Sequence, residues 1–128
     1  MAFENLKVDQ EKAIEQALKS LGAMPLELKY QRSTYIVHIL WALELAFRAG
    51  LPAARASAIA EIINIYGKWE VFGPNVAKFL RLQKQSGEYA HRWNEEQDGY
   101  YSINQSGRDF LFSLIDKKNT EPKNHSGE

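Results

Sequence analysis

The 128-residue chain is 45% hydrophobic, with three Trp, six Tyr and six Phe, which is enough for one domain with a proper core. Sixteen basic residues balance sixteen acidic ones, so no global field draws the protein to nucleic acid and any such attraction must be local. The lack of cysteine excludes disulfides and thiolate metal sites and fits a reducing compartment. Charges in MAFENLKVDQEKAIEQ stand where a secretory signal needs an apolar core. The most apolar run, Tyr35 to Phe47, carries His38 and Glu44 and falls short of the ~20 residues needed to cross a bilayer. The expectation is a soluble cytoplasmic protein with no membrane partner.

In chain order, Val8 to Leu21 reads as an amphipathic helix. Ala13, Ile14, Ala17, Leu18 and Leu21 recur at helical spacing, Asp9 is the candidate N-cap and Gly22 the stop. Met24-Pro25 opens a connector. A second helix runs from Ser33 or Thr34 to Ala49, with Gly50 as a left-handed stop. Its apolar residues cover nearly the whole circumference, so it must be buried on more than one side. A second subunit is one candidate cover, which puts Ile36, Ile39, Leu40, Leu43 and Phe47 at a homodimer interface. The alternative is a central core helix in a monomer. Glu44 and Arg48, four apart, read as a surface pair of little consequence.

Ala58, Ile59, Ile62, Ile63 and Tyr66 form one face of a third helix, with Ser57 as its candidate cap and Gly67 as its end. The connector KWEVFG follows. Pro74 then opens a fourth helix that buries Val76, Phe79 and Leu80 and turns Asn75, Lys78, Arg81, Leu82 and Gln85 outward, with Lys84 near its end. After Gly87 the period changes to two. EYAHRWN places Tyr89, His91 and Trp93 on one face, EEQDG carries an Asp-Gly turn, and YYSIN returns as the paired strand. Asn104 is the candidate cap of a last helix with Phe110, Leu111, Leu114 and Ile115 as its apolar stripe. Residues 117–128 have no apolar anchor and are expected to be disordered.

The order helix, helix, helix, helix, hairpin, helix over Arg32 to Ile115 resembles the winged helix–turn–helix superfamily. SAIAEIINIYG is similar to the first helix of its helix–turn–helix pair, PNVAKFLRLQKQ to the recognition helix, and EYAHRWNEEQDGYYSIN to the wing. In YYSINQSGRDFL, the residues Tyr101, Ile103, Asn104, Gly107 and Leu111 stand where such regulators place wing strand, cap, close-packed glycine and closing helix. The linker KWEVFG is longer than the tight turn of simple bacterial members. The resemblance implies a mainly α (α+β) fold: residues 1–31 as an N-terminal helix and connector, 32–116 as the winged-helix domain, 117–128 as a tail. It also implies a dimeric transcriptional regulator that binds double-stranded DNA.

The local chemistry agrees in part. Asn75 and Gln85 suit adenine, Lys78 and Arg81 suit guanine or phosphate, and Lys84 and Arg92 suit phosphates. Between Asn64 and Asn94, five Lys or Arg stand against two acids in a chain of zero net charge. A solvated helix face shows the same cations. Glu95, Glu96 and Asp98 at the hairpin tip oppose a phosphate backbone. That tip, with exposed Leu82, favours the alternative of a protein–protein adaptor. No metal spacing, phosphate loop or nucleophile signature stands out, so neither cofactor nor catalysis is expected. His38 and His91 read as packing residues. The aromatic set Tyr66, Trp69, Phe72, Tyr89, Trp93, Tyr100 and Tyr101 reads as core around the hairpin more readily than as a stacking platform for single-stranded bases.

Overall fold

The structure, a computed structural model, describes residues 8–22, 34–51, 53–67, 69–86, 90–97 and 99–115. It is mainly helical with one small antiparallel sheet. The elements are α1 (Val8–Leu21), α2 (Thr34–Arg48), α3 (Ala56–Tyr66), α4 (Gly73–Ser86), a 3-10 turn (Ala90–Arg92), β1 (Trp93–Gln97), β2 (Tyr100–Ile103) and α5 (105–115). The tail 117–128, the connector after Met24, Tyr89 and Asp98 lie outside the described residues. Among the described residues no helix is long and apolar enough to cross a membrane.

The helix ends follow local chemistry. Gly22 and Gly50 adopt φ of 93° and 88°, a left-handed conformation that stops α1 and α2 at little steric cost. Asp9 lies inside α1 and not ahead of it. At α3 the expected Ser57 cap is replaced by Arg55, whose extended backbone begins the helix without a side-chain hydrogen bond.

The apolar circumference of α2 is covered by the chain itself. Ile14 and Ala17 of α1, Ile59, Ile62 and Ile63 of α3, Tyr101 and Ile103 of β2 and Leu111 of α5 join it in one core. Ile36, Ile39, Leu40 and Leu43 are buried within a single chain, which corrects their expected place at a subunit boundary; of that set only Phe47 is exposed, at 52%. The physical reason is that α1, α3 and β2 all pack on one helix, so a stripe is not enough. Trp41 sits at its middle, and its indole N–H donates to the carbonyl of Gly22, just past the end of α1 (3.2 Å), which satisfies the ring's single donor.

Glu44 is a second correction. It is wholly buried, and its carboxylate meets two arginines. Arg48 Nε lies 2.7 Å from Oε2 and Arg108 Nε 3.0 Å from Oε1, with Arg108 Nη2 donating to Oε2 at 3.1 Å. Arg48 also donates to Ser20 Oγ (3.0 Å), so one carboxylate joins α1, α2 and α5. The guanidinium of Arg108 stacks on Phe47 and Phe112 at 4.8 and 5.7 Å. Glu44→Ala removes the acceptor both arginines share. Because their side chains are 28% exposed and can turn to water, the expected loss is about 2–3 kcal/mol, below the ~3–5 kcal/mol of a fully buried pair. Urea unfolding measures it; a loss under about 0.5 kcal/mol would return the group to the class of surface pairs.

The hairpin is shorter than its alternation predicts. Residues 90–92 form a 3-10 turn, the strand starts at Trp93, and His91 is exposed instead of packed. Pairing runs Trp93 with Ile103, Asn94 with Ser102, Glu95 with Tyr101 and Gln97 with Tyr100, so Glu96 is a bulge residue. Gly99, at φ 81°, makes the turn. Trp93, Tyr101 and Ile103 bury one face. On the far side of β2, Ala54 exchanges two backbone hydrogen bonds with Tyr101, each 2.9 Å, and so adds a one-residue third strand.

Candidate nucleic-acid interface

The exposed face of α4 is built by what its other face must cover. Val76 and Leu80, four apart, are buried, and Phe79 packs edge-on to Tyr35 at 4.8 Å. Asn75, Lys78, Arg81, Leu82 and Lys84 are thereby turned outward. The backbone of Gln85 continues the helix, but its side chain lies outside the described residues. Residues 75, 78 and 82 share one stripe at spacings of three and four, with Arg81 beside it. The helix holds three cations and no acid. Among the described residues, Lys78 and Arg81 pair with no carboxylate.

The pose of α4 against α3 is set by the connector. The amide of Asn64 donates to the Val71 carbonyl (2.9 Å) and accepts from the Val71 N–H (2.7 Å), copying a strand partner. The Phe72 carbonyl then receives the N–H groups of Asn75 and Val76 at 3.0 and 3.1 Å, which opens the helix. A Cβ at Gly73 would lie 3.2 Å from Ser57 Cα, so the start of α4 rests on the start of α3. Trp69 packs on Tyr35 (5.7 Å) and on the buried His38 (4.5 Å), which pulls the connector onto α2. Trp69, Val71 and Phe72 thus tie the connector down.

The hairpin lies beside the C-terminal half of α4. An open groove of about 430 Å³ separates them, lined by Leu80, Lys84, Trp93, Asn94, Glu95, Glu96 and Tyr101. Glu95 accepts the Gly99 N–H (2.9 Å) and the Lys84 ammonium (2.9 Å). The turn N–H first, and Lys84 second, hold this carboxyl below the usual glutamate range. Ser102 donates to Glu96. Two of the three acids expected at the tip are therefore engaged within the hairpin, which lessens their repulsion of a phosphate backbone, but Lys84 is matched in the process. Because Glu95 is more acidic folded than unfolded, its contribution to stability is full above the unfolded value and is lost as pH falls through the folded one. Carboxyl-carbon NMR should place the Glu95 midpoint below that of free glutamate, with the Gly99 amide shifting at the same midpoint; a Gly99 amide that does not titrate would remove the turn bond from the account.

Arg92 departs from its expected place on phosphates. It donates to the carbonyl and hydroxyl of Ser106, both at 3.2 Å, and its guanidinium lies 4.5 Å from the Phe110 ring centroid. It fastens the hairpin to α5 because the 3-10 turn aims it inward. Asn104 completes that joint as foreseen: its Oδ1 caps the Gly107 N–H (2.9 Å), and its amide reaches the His91 carbonyl (2.9 Å).

The structure thus brings together Asn75, Lys78, Arg81 and Lys84 and separates Arg92 from them. Trp93 and Tyr101 are core, and Tyr100 lies beneath Arg55 at 5.1 Å, so these three aromatic rings of the hairpin form no open platform. Among the described residues no group of three or more His, Cys, Asp or Glu could hold a metal. Asn64 and Ala54 gave no signal in the sequence, since each works through backbone partners; Glu95 gave a weak one, an acid four residues before the turn glycine. No protein-family model matches the chain, and neither a curated protein nor a solved structure matches it.

Proposed function

We propose that the chain is a winged helix–turn–helix protein that binds double-stranded DNA and regulates transcription as a homodimer, with α4 in the major groove. One observation carries the reading: a helix with no acid presents Asn75 and Lys78 on one exposed stripe with Arg81 beside it, and a tied connector holds it on α3. Such donors match base edges and phosphates, and the major groove admits a helix of this width. The bridge from Ala54 to Tyr101 supports the same architecture, since it makes the hairpin part of a small sheet beside the helix pair. A single small unit makes few contacts, and two copies on two half-sites give useful affinity.

A second reading, a protein–protein adaptor, is favoured by the exposure of Phe72 and Leu82, at 59% and 52%. Phe72 precedes α4 and Leu82 lies in its later half, ten positions on or ~15 Å at helical rise, so they do not merge into one apolar patch. Selection of bound sequences from random duplex DNA at low salt tests the proposal. Enrichment of a common motif is expected; recovery of no motif moves the reading to the adaptor.

A further inference from the structure

Leu82 has no packing reason to be where it is. It stands half-exposed on the outer stripe of α4, one heptad after Asn75 and one turn after Lys78, while Val76 and Leu80 satisfy the core. We infer that Leu82 is a specificity residue that touches the C5-methyl group of a thymine, next to bases or phosphates held by Lys78 and Arg81. The inference rests on the DNA reading above.

The argument is one of complementarity. Lys84 is matched by Glu95, but Lys78 and Arg81 stand beside Leu82 with no carboxylate partner among the described residues, so a surface that covers Leu82 must bring negative charge around a small apolar spot. The major-groove edge of a thymine is such a surface: a methyl group set between phosphate backbones. An RNA helix is excluded on two grounds, since uracil lacks that methyl and the A-form major groove is too narrow to admit a side-chain reader. An apolar protein surface would have to leave Lys78 and Arg81 against apolar atoms, which is costly. Along the helix axis, seven residues span ~10 Å, or about three base steps. A thymine read by Leu82 therefore lies about three steps from the base read by Asn75.

The test uses the full chain and the duplex recovered by selection. Each thymine is replaced in turn by deoxyuridine, which removes only the methyl group. At one position the wild-type protein is expected to lose about three- to fivefold in affinity, the value of one buried methyl. Leu82→Ala is expected to bind the thymine duplex more weakly and to be indifferent to the same replacement. Its circular dichroism and melting temperature should match wild type, because the side chain is on the surface. Wild-type protein indifferent to every replacement overturns the inference and leaves DNA binding intact. Sensitivity that survives in Leu82→Ala assigns the methyl contact to another residue and equally overturns it. Failure to recover any duplex overturns both this inference and the function on which it rests.

Discussion

Lys78→Ala combined with Arg81→Ala is expected to reduce duplex affinity by about a hundredfold or more and to leave the fold unchanged. One good bidentate base contact is worth about 1–3 kcal/mol, and a phosphate contact adds a salt-sensitive share. Loss of two cations from the interface should lower the slope of log affinity against log salt by about 2. Both side chains are exposed and make no ion pair among the described residues, so unfolding free energy should move by no more than about 0.5 kcal/mol. Fluorescence anisotropy at several salt concentrations, with urea unfolding on the same samples, measures both quantities. Undiminished affinity with an unaltered salt slope would sink the DNA assignment.

Among the described glycines, Gly107 is where an added methyl should do the most damage. A Cβ there would stand 2.1 Å from the Arg92 carbonyl oxygen and 3.0 Å from Ile103 Cγ1. The carbonyl is backbone and cannot rotate away; it also receives the Asn104 N–H. The joint between the hairpin and α5 must open, at a cost expected to reach or pass the upper end of the ~1–3 kcal/mol seen for overpacking. The effect should be a lower urea midpoint with the Trp93 environment disturbed. A loss below about 1 kcal/mol would show that the joint relaxes, and that close approach is not why glycine stands there.

Gly107 also shows what a sequence reveals. Its close approach is expected only from the resemblance, because its partner Arg92 lies fifteen positions back. The Asn104 cap and the turn at Gly99 are readable because each is settled within a few residues by steric limits on φ or by a side chain reaching its own backbone. The outward stripe of α4 is readable for a similar reason, since helical spacing separates Val76 and Leu80 from Asn75 and Lys78. Distant partners are a different matter. Glu44 looks like half of a surface pair because Arg48 is one turn away, whereas the burial comes from Arg108, sixty-four positions on. α2 is legible as buried, but not as buried by its own chain, because pattern gives the extent of an apolar face and not its cover. Arg92 misleads for the same reason: alternation suggests a strand, while bonds to Ser106 hold it in a 3-10 turn facing α5.

The paired hydrogen bonds between Ala54 and Tyr101 have a consequence for how the molecule tolerates change. They clasp the chain just before α3 to the chain just after the hairpin turn, so the helix pair, the connector and β1 form a closed loop held at its neck. The clasp itself uses only main-chain atoms, although the side chains of Ala54 and Tyr101 are both buried in the core. Lengthening a loop already closed costs little, ~0.6 kcal/mol for each doubling. A connector of another length would give up the Asn64–Val71 bonds and the seat of Gly73 on Ser57, but the neck would still keep the return strand in register with the core. A change in the angle of α4 on α3 does not by itself require the rest of the scaffold to be rebuilt.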